Sequence, residues 1–233
     1  MYRHFLKRLM DILLSGIAIV LLALPMLIVV IAIKIDDPGP VFFVQKRVGR
    51  KKNGEIAYFN MCKFRSMKMS APHDTPTHLL ADPEQYITRV GKFIRKTSLD
   101  ELPQIYQVFT GKLSLIGPRP ALWSQDDLVA EREKYGANDL TPGISGWAQI
   151  NGRDELSIED KARLDGEYAA ALAGGFFSGL FMDIKCLFGT VFSVLRSDGV
   201  VEGGTGALKC SQPDEASEQT ATDQQSDEEV GVR

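Results

Sequence analysis

Asp100 and Glu101 stand side by side in TSLDELPQ, residues 97–104, with a leucine on either side and Pro103 close behind. Two readings fit such a pair. Ser98-Leu99-Asp100-Glu101 has the Ser-x-x-Glu pattern of a capping box, and an acid there complements the helix dipole. With Asp100 itself as N-cap, Pro103 falls in the first helical turn, where its missing N–H does no harm. The other reading is catalysis by the carboxylates. Taken alone, the pair leaves both open.

Three cations fit an anionic ligand. Lys63 and Arg65 alternate in CKFRSM, so a strand would point both to one face. Arg119 stands between prolines in LIGPRPAL, and a guanidinium on so stiff a turn suits bidentate phosphate binding. Each is equally readable as an ordinary surface cation. GWAQINGR supplies Trp147, Gln149, Asn151 and Arg153, which could hold a nucleobase or sugar, or simply build a loop. His73 and His78 lack the partners of a structural zinc site. There is no phosphate-binding Gly-x-x-x-x-Gly-Lys loop, no dinucleotide fingerprint and no Asp-x-Asp. No aromatic platform accompanies the basic residues, which argues against nucleic acid.

The elements that must position these residues begin with a membrane segment. Residues 12–33 carry no charge, and 22 residues of helix span about 33 Å, close to the hydrocarbon core. Pro25 divides the run into pieces too short to cross alone. Basic residues flank both ends: Arg3, Lys7 and Arg8 before, Lys46 through Lys52 after. Both ends therefore favour the cytoplasmic side, which predicts a re-entrant helix-break-helix segment over residues 1–36, although a spanning helix remains the alternative. A hairpin turning at Asn53-Gly54 follows. Helices are predicted in YITRVGKFIRK, in ELPQIYQVFTG ending at Gly111, in DDLVAEREKYGAND and in SIEDKARLDGEYAAALA with Ser157 as cap. SLIGPRPAL reads as a turn and LTPGISGWAQINGR as a glycine-rich loop. Residues 176–195 are apolar but contain Asp183 and Lys185, which favours an amphipathic helix on the interface or on the body. The fold class is α+β and mostly helical, with residues 37–196 as one domain.

Charge is divided along the chain. Residues 1–196 carry a net +4 and residues 197–233 a net −7. A basic body suggests an anionic partner, and the acidic tail reads as disordered. Three widely spaced cysteines form no disulfide framework.

PGPVFFVQKRVG, CKFRSM, GKFIRKTSLDELPQ, SLIGPRP and LTPGISGWAQINGR occur in one order. Together they closely resemble the bacterial sugar transferase family, the small monotopic phosphoglycosyl transferases. The resemblance runs from about residue 3 to 196. It implies transfer of a sugar 1-phosphate from a UDP-sugar to undecaprenyl phosphate with release of UMP. It also implies Mg²⁺, a re-entrant membrane helix and an active site on the cytoplasmic face of the bacterial inner membrane. Asp100 matches the nucleophile that forms a phosphosugar intermediate. Glu101 matches its neighbour, which assists proton transfer or metal binding. Lys63, Arg65 and Arg119 would supply fixed positive charge to two anionic substrates. The chain departs from the family at its helix break, where Leu24-Pro25 stands for Ser-Pro, and near the C-terminus, around Tyr168 and Asp183. A homodimer or downstream glycosyltransferases are the expected protein partners. A non-catalytic membrane scaffold for glycan assembly is the alternative, and the sugar itself stays open.

Overall fold

The charge-free run forms one helix. In the computed structural model, which describes residues 2–71, 83–152 and 156–195, a π-helical turn at Tyr2–Leu6 leads into α1, Lys7–Asp36. The expected break at Pro25 is not an interruption, because helix continues on both sides of it. Proline removes a single N–H, and in apolar surroundings every remaining intrahelical bond is worth keeping. The two ends of α1 dock while its middle stands clear: Lys7, Asp11 and Ser15 are buried at one end, Val29 and Ile33 at the other, and Val20 is 75 % exposed between them.

The hairpin forms as expected. Strand β1 (Phe42–Val48) pairs antiparallel with β2 (Tyr58–Phe64), Phe42 opposite Phe64 and Val48 opposite Tyr58. Asn53 and Gly54 take the positive φ that their turn requires. Helix α2 (Arg89–Lys96) starts at Thr88, whose hydroxyl accepts from the Gly91 amide at 2.8 Å. Helix α3 (Gln104–Thr110) ends at Gly111, φ +86°.

Two segments read as irregular contain structure. Strand β3 (Ser114–Ile116) opens SLIGPRPAL, and α4 (Asp126–Glu133) follows it. Strand β4 (Gly143–Ser145) and the short α5 (Trp147–Ile150) lie within LTPGISGWAQINGR. Strands β3 and β4 pair in parallel, Ser114 with Gly143 and Ile116 with Ser145. Helix α4 stops earlier than its sequence suggested, since Gly136 turns the chain at φ +66° into a 3₁₀ turn, Ala137–Asp139.

Helices α6 (Ile158–Ala173) and α7 (Phe176–Leu195) complete the body, α6 capped by the Ser157 hydroxyl on the Asp160 amide at 3.1 Å. Asp183 of α7 is a buried hub. It accepts from Tyr2 at 2.5 Å, Tyr168 at 2.5 Å and Lys7 at 2.8 Å. Burial first, then the Asp183 carboxylate, pushes both phenols well above their ordinary range, so they act as fixed donors. On the outer face Phe177 is 82 % exposed and Phe181 and Phe188 remain open. Among the described residues the architecture is seven α-helices with two small two-stranded sheets. Residues 197–233, His73 and His78 lie outside the described residues.

Candidate active site

The acid pair occupies neither of the capping positions its sequence offers. Ser98 is left-handed (φ +56°) and makes no side-chain cap, while Asp100 and Glu101 belong to a 3₁₀ turn, Leu99–Glu101. The residue preceding α3 is Pro103. Packing overrides the local signal here. Leu99 and Leu102 are drawn into the cluster of Val29, Ile33, Phe64 and Ile94. Partial burial of the two leucines contributes about 2 kcal/mol in all, more than a cap typically supplies. The leucines on either side of the acids thus fix the turn against residues of α1, β2 and α2. Asp100 is 4 % exposed.

Glu101 meets two cations from distant parts of the chain. Its Oε1 lies 3.1 Å from Lys63 Nζ on β2 and 3.0 Å from Arg119 Nη2 on the Pro-Arg-Pro turn. Burial alone would raise this carboxyl, but Arg119 and then Lys63 outweigh it and hold it at about 2. Arg65 goes elsewhere. Strand β2 ends at Phe64, so the alternation that would align residues 63 and 65 stops. Arg65 is buried and bonds Asp37 at 2.6 Å, joining the hairpin to the end of α1.

The turn carrying Arg119 is braced from several sides. Gly143 accepts no side chain, because a Cβ would lie 2.1 Å from the Gly117 amide nitrogen; one on Gly146 would meet the Gly117 oxygen at 2.1 Å. Those contacts let β4 bond the turn directly, Gly117 N–H to Ser145 at 2.7 Å and Gly143 N–H to Pro118 at 2.9 Å. Arg47 donates to the Pro120 carbonyl at 3.2 Å. Arg132 donates to the Arg119 carbonyl at 2.9 Å and pairs with Asp165 at 2.6 Å, both side chains buried. Burial pushes the Asp165 carboxyl up while Arg132 opposes it. Arg47, Arg132 and Asp165 were missed in the sequence because each is one charge among several in its segment, with no local pattern to separate it.

Trp147, Gln149 and Asn151 are not brought to the acid pair. Trp147 donates to Glu167 at 2.9 Å and lies under Lys185, 4.3 Å from its ring centroid. Gln149 donates to the Ile144 carbonyl at 3.1 Å, and Asn151 to the Trp147 carbonyl at 2.7 Å. All three stabilise the loop and its junction with α6 and α7. Arg153 lies outside the described residues.

A buried acid beside a carboxylate clamped by a lysine and an arginine, on a turn packed against an apolar helix, suits chemistry between anions at a membrane. Comparison with known proteins matches residues 2–197 to the bacterial sugar transferase model. The chain belongs to the bacterial sugar transferase family. This sugar transferase is 38 % identical over 195 residues to the uncharacterized sugar transferase EpsL of Bacillus subtilis, covering 84 % of this chain and 90 % of that one. It is 38 % identical over 195 residues to the undecaprenyl-phosphate glucose phosphotransferase of Komagataeibacter xylinus, 79 % of this chain but 35 % of that one. It is also 38 % identical over 198 residues to the UDP-N-acetylgalactosamine-undecaprenyl-phosphate N-acetylgalactosaminephosphotransferase of Aeromonas hydrophila, 84 % of this chain and 45 % of that one. The sugar transferase thus matches the Bacillus relative nearly end to end and spans less than half of the other two.

Proposed function

We propose that this chain transfers a sugar 1-phosphate from a UDP-sugar to undecaprenyl phosphate and releases UMP, at the cytoplasmic face of a bacterial inner membrane. The observation that carries this reading is the Lys63–Glu101–Arg119 cluster next to buried Asp100. The relatives' names supply the substrate classes.

In the first step an Asp100 oxygen attacks the phosphorus that bears the sugar. The bond from that phosphorus to the bridging oxygen breaks, and its electron pair leaves with UMP. In the second step an oxygen of undecaprenyl phosphate attacks the same phosphorus, and the Asp100 carboxylate is regenerated. Both attacking oxygens are anionic, so neither step requires a general base. Glu101, held at about 2, is a poor base at neutral pH. Its work is to hold Lys63 and Arg119 where charge develops on the transferring phosphoryl group. A guanidinium carries five N–H donors and an ammonium three, so both can serve Glu101 and a phosphate together.

Mg²⁺ would be held here through the acid pair, Asp100 and Glu101, the latter also bound to its two cations. Mg²⁺ is commonly held by one or two carboxylates with substrate phosphates and waters, and when bound it would neutralise the diphosphate. Among the described residues no three Asp, Glu, His or Cys side chains form a cage, which accords with a metal that arrives with the nucleotide.

The docking of α1 supports the re-entrant topology. Its first turns bond the body through Lys7 to Asp183 and through Asp11 to the Leu115 amide at 2.9 Å. Its last turn bonds the same body through Asp36 to the Val90 amide at 2.8 Å. A helix crossing the bilayer would leave one of those ends on the far side.

The decisive experiment is UMP release from a panel of UDP-sugars by purified protein with undecaprenyl phosphate and Mg²⁺. Asp100→Asn is expected to reduce it by at least about 10³-fold. Full activity in Asp100→Asn overturns the nucleophile. Release of UDP instead of UMP overturns the reaction class, and no release with any sugar returns the chain to the scaffold reading.

A further inference from the structure

A second group of cations lies at the opposite end of α3 from the acid pair, where the first turn of α1 meets the body. Arg3, Lys7, Arg8 and Arg50 line a cavity of about 60 Å³, with Asp11 and Ser114 in its wall. About 10–15 Å³ of such volume admits one water-sized group, so the cavity has room for about four to six, the scale of a phosphate group.

The charges there are unbalanced. Lys7 is neutralised by Asp183 at 2.8 Å. Arg8 donates only to carbonyls, those of Val108 at 2.6 Å and Phe109 at 2.7 Å, and Arg3 donates to the Asp139 carbonyl. Arg50 has no hydrogen-bond or ion-pair partner among the described residues. Burial first, then Arg50, pushes the Arg3 guanidinium below its ordinary value against the pull of Asp139. Three guanidiniums thus face one wall carboxylate, Asp11, engaged by the Leu115 amide at 2.9 Å, with Asp139 acting on Arg3 from outside the lining. Ser114, 1 % exposed, has its hydroxyl beside the Asp11 carboxylate without a well-formed hydrogen bond to it. Guanidiniums with a hydroxyl beside them are the donors that phosphate oxygens take. Beside them the surface is apolar: Phe5 is 66 % exposed and Leu9 is 40 % exposed.

We propose that this cavity binds a phosphate group, carried by an anionic phospholipid of the leaflet in which α1 sits. The phosphate engages Arg3, Arg8, Arg50 and Ser114, and the acyl chains lie along Phe5 and Leu9. The lipid thereby seats the start of α1 on the body. The proposal is independent of the role given to Asp100.

The test uses full-length protein in neutral, phosphate-free detergent. It is titrated separately with inorganic phosphate, short-chain phosphatidylglycerol and short-chain phosphatidylcholine, with Tm as readout. Phosphatidylglycerol is expected to raise Tm at a midpoint about tenfold lower than phosphatidylcholine, and Arg50→Gln, an exposed and fold-neutral change, to raise that midpoint about tenfold. Inorganic phosphate acting as strongly, with the same Arg50 dependence, overturns the lipid as the source while keeping the phosphate chemistry. Midpoints that do not change in Arg50→Gln or in Arg3→Gln overturn the site.

Discussion

Glu101 and Arg119 meet at 3.0 Å, a strand-edge turn reaching back to a 3₁₀ turn eighteen residues earlier in the chain. With Lys63 on the same oxygen, the contact makes Glu101 an organiser of positive charge. Glu101→Gln keeps the shape but weakens both cationic contacts, and kcat is expected to fall about 10–100-fold. The acid limb of the kcat/KM profile should stay where it is, because the wild-type group is already ionised throughout. Disappearance of that limb would make Glu101 a general base instead.

The same contact sets a pH dependence of stability. The folded carboxyl sits at about 2 against an ordinary 4.5. A depressed acid stabilises the fold above its unfolded value and loses that contribution as pH falls toward the folded one. The Tm difference between wild type and Glu101→Gln should be constant above about pH 4.5 and shrink below it. Thermal melts at a series of pH values read it directly.

Gly143→Ala tests the bracing of the Arg119 turn. Its Cβ would lie 2.1 Å from a backbone nitrogen, which no side-chain adjustment relieves. A loss of about 3 kcal/mol is expected, together with lower activity as the turn shifts. Gly136→Ala is the comparison, since its φ of +66° carries strain but the space beside it is open. About 1 kcal/mol is expected there, with activity retained. Chemical denaturation of both variants distinguishes the two causes.

Arg132 and Asp165 form a buried pair whose halves need one another. Arg132→Met should cost about 3–5 kcal/mol, because it strands the Asp165 carboxylate. Adding Asp165→Leu should recover much of that loss. A double-mutant cycle that proves additive would show that the pair is not coupled.

For the membrane segment, cysteines placed ahead of Tyr2 and at Pro38 in a chain otherwise free of thiols should both resist an impermeant maleimide in intact cells. Both should react in inverted vesicles. Labelling of either from outside would mean a spanning helix.

What the sequence reveals depends on how local the cause is. Helix α7 runs from Phe176 to Leu195, the span its apolar composition marks, and Ser157 caps α6 as its position suggests. The hairpin turns at Asn53-Gly54 because those residues accept positive φ. Strands β3 and β4 escape notice because each is three residues long and finds its partner across the whole of α4. No period can emerge in three residues. Ser98 reads as a cap yet serves as a left-handed corner, since the leucines beside the acids are worth more packed against Val29, Ile33, Phe64 and Ile94. Lys63 and Arg119 are visible as candidates, but their common partner is a tertiary fact. Arg65 shows the limit of the alternation argument, which ends with the strand that supports it.

The Asp183 hub has a consequence for the order of events during synthesis. Lys7 and Asp183 are 176 positions apart, and ribosomes add about 5–20 residues per second. The first apolar segment therefore leaves the ribosome about 9–35 s before the carboxylate that will receive its lysine. During that interval Lys7 and Tyr2 lack the acceptor that fixes them in the finished protein. Arg8 and Asp11 can meet Val108, Phe109 and Leu115 earlier, so the Asp183 contacts complete the docking rather than begin it.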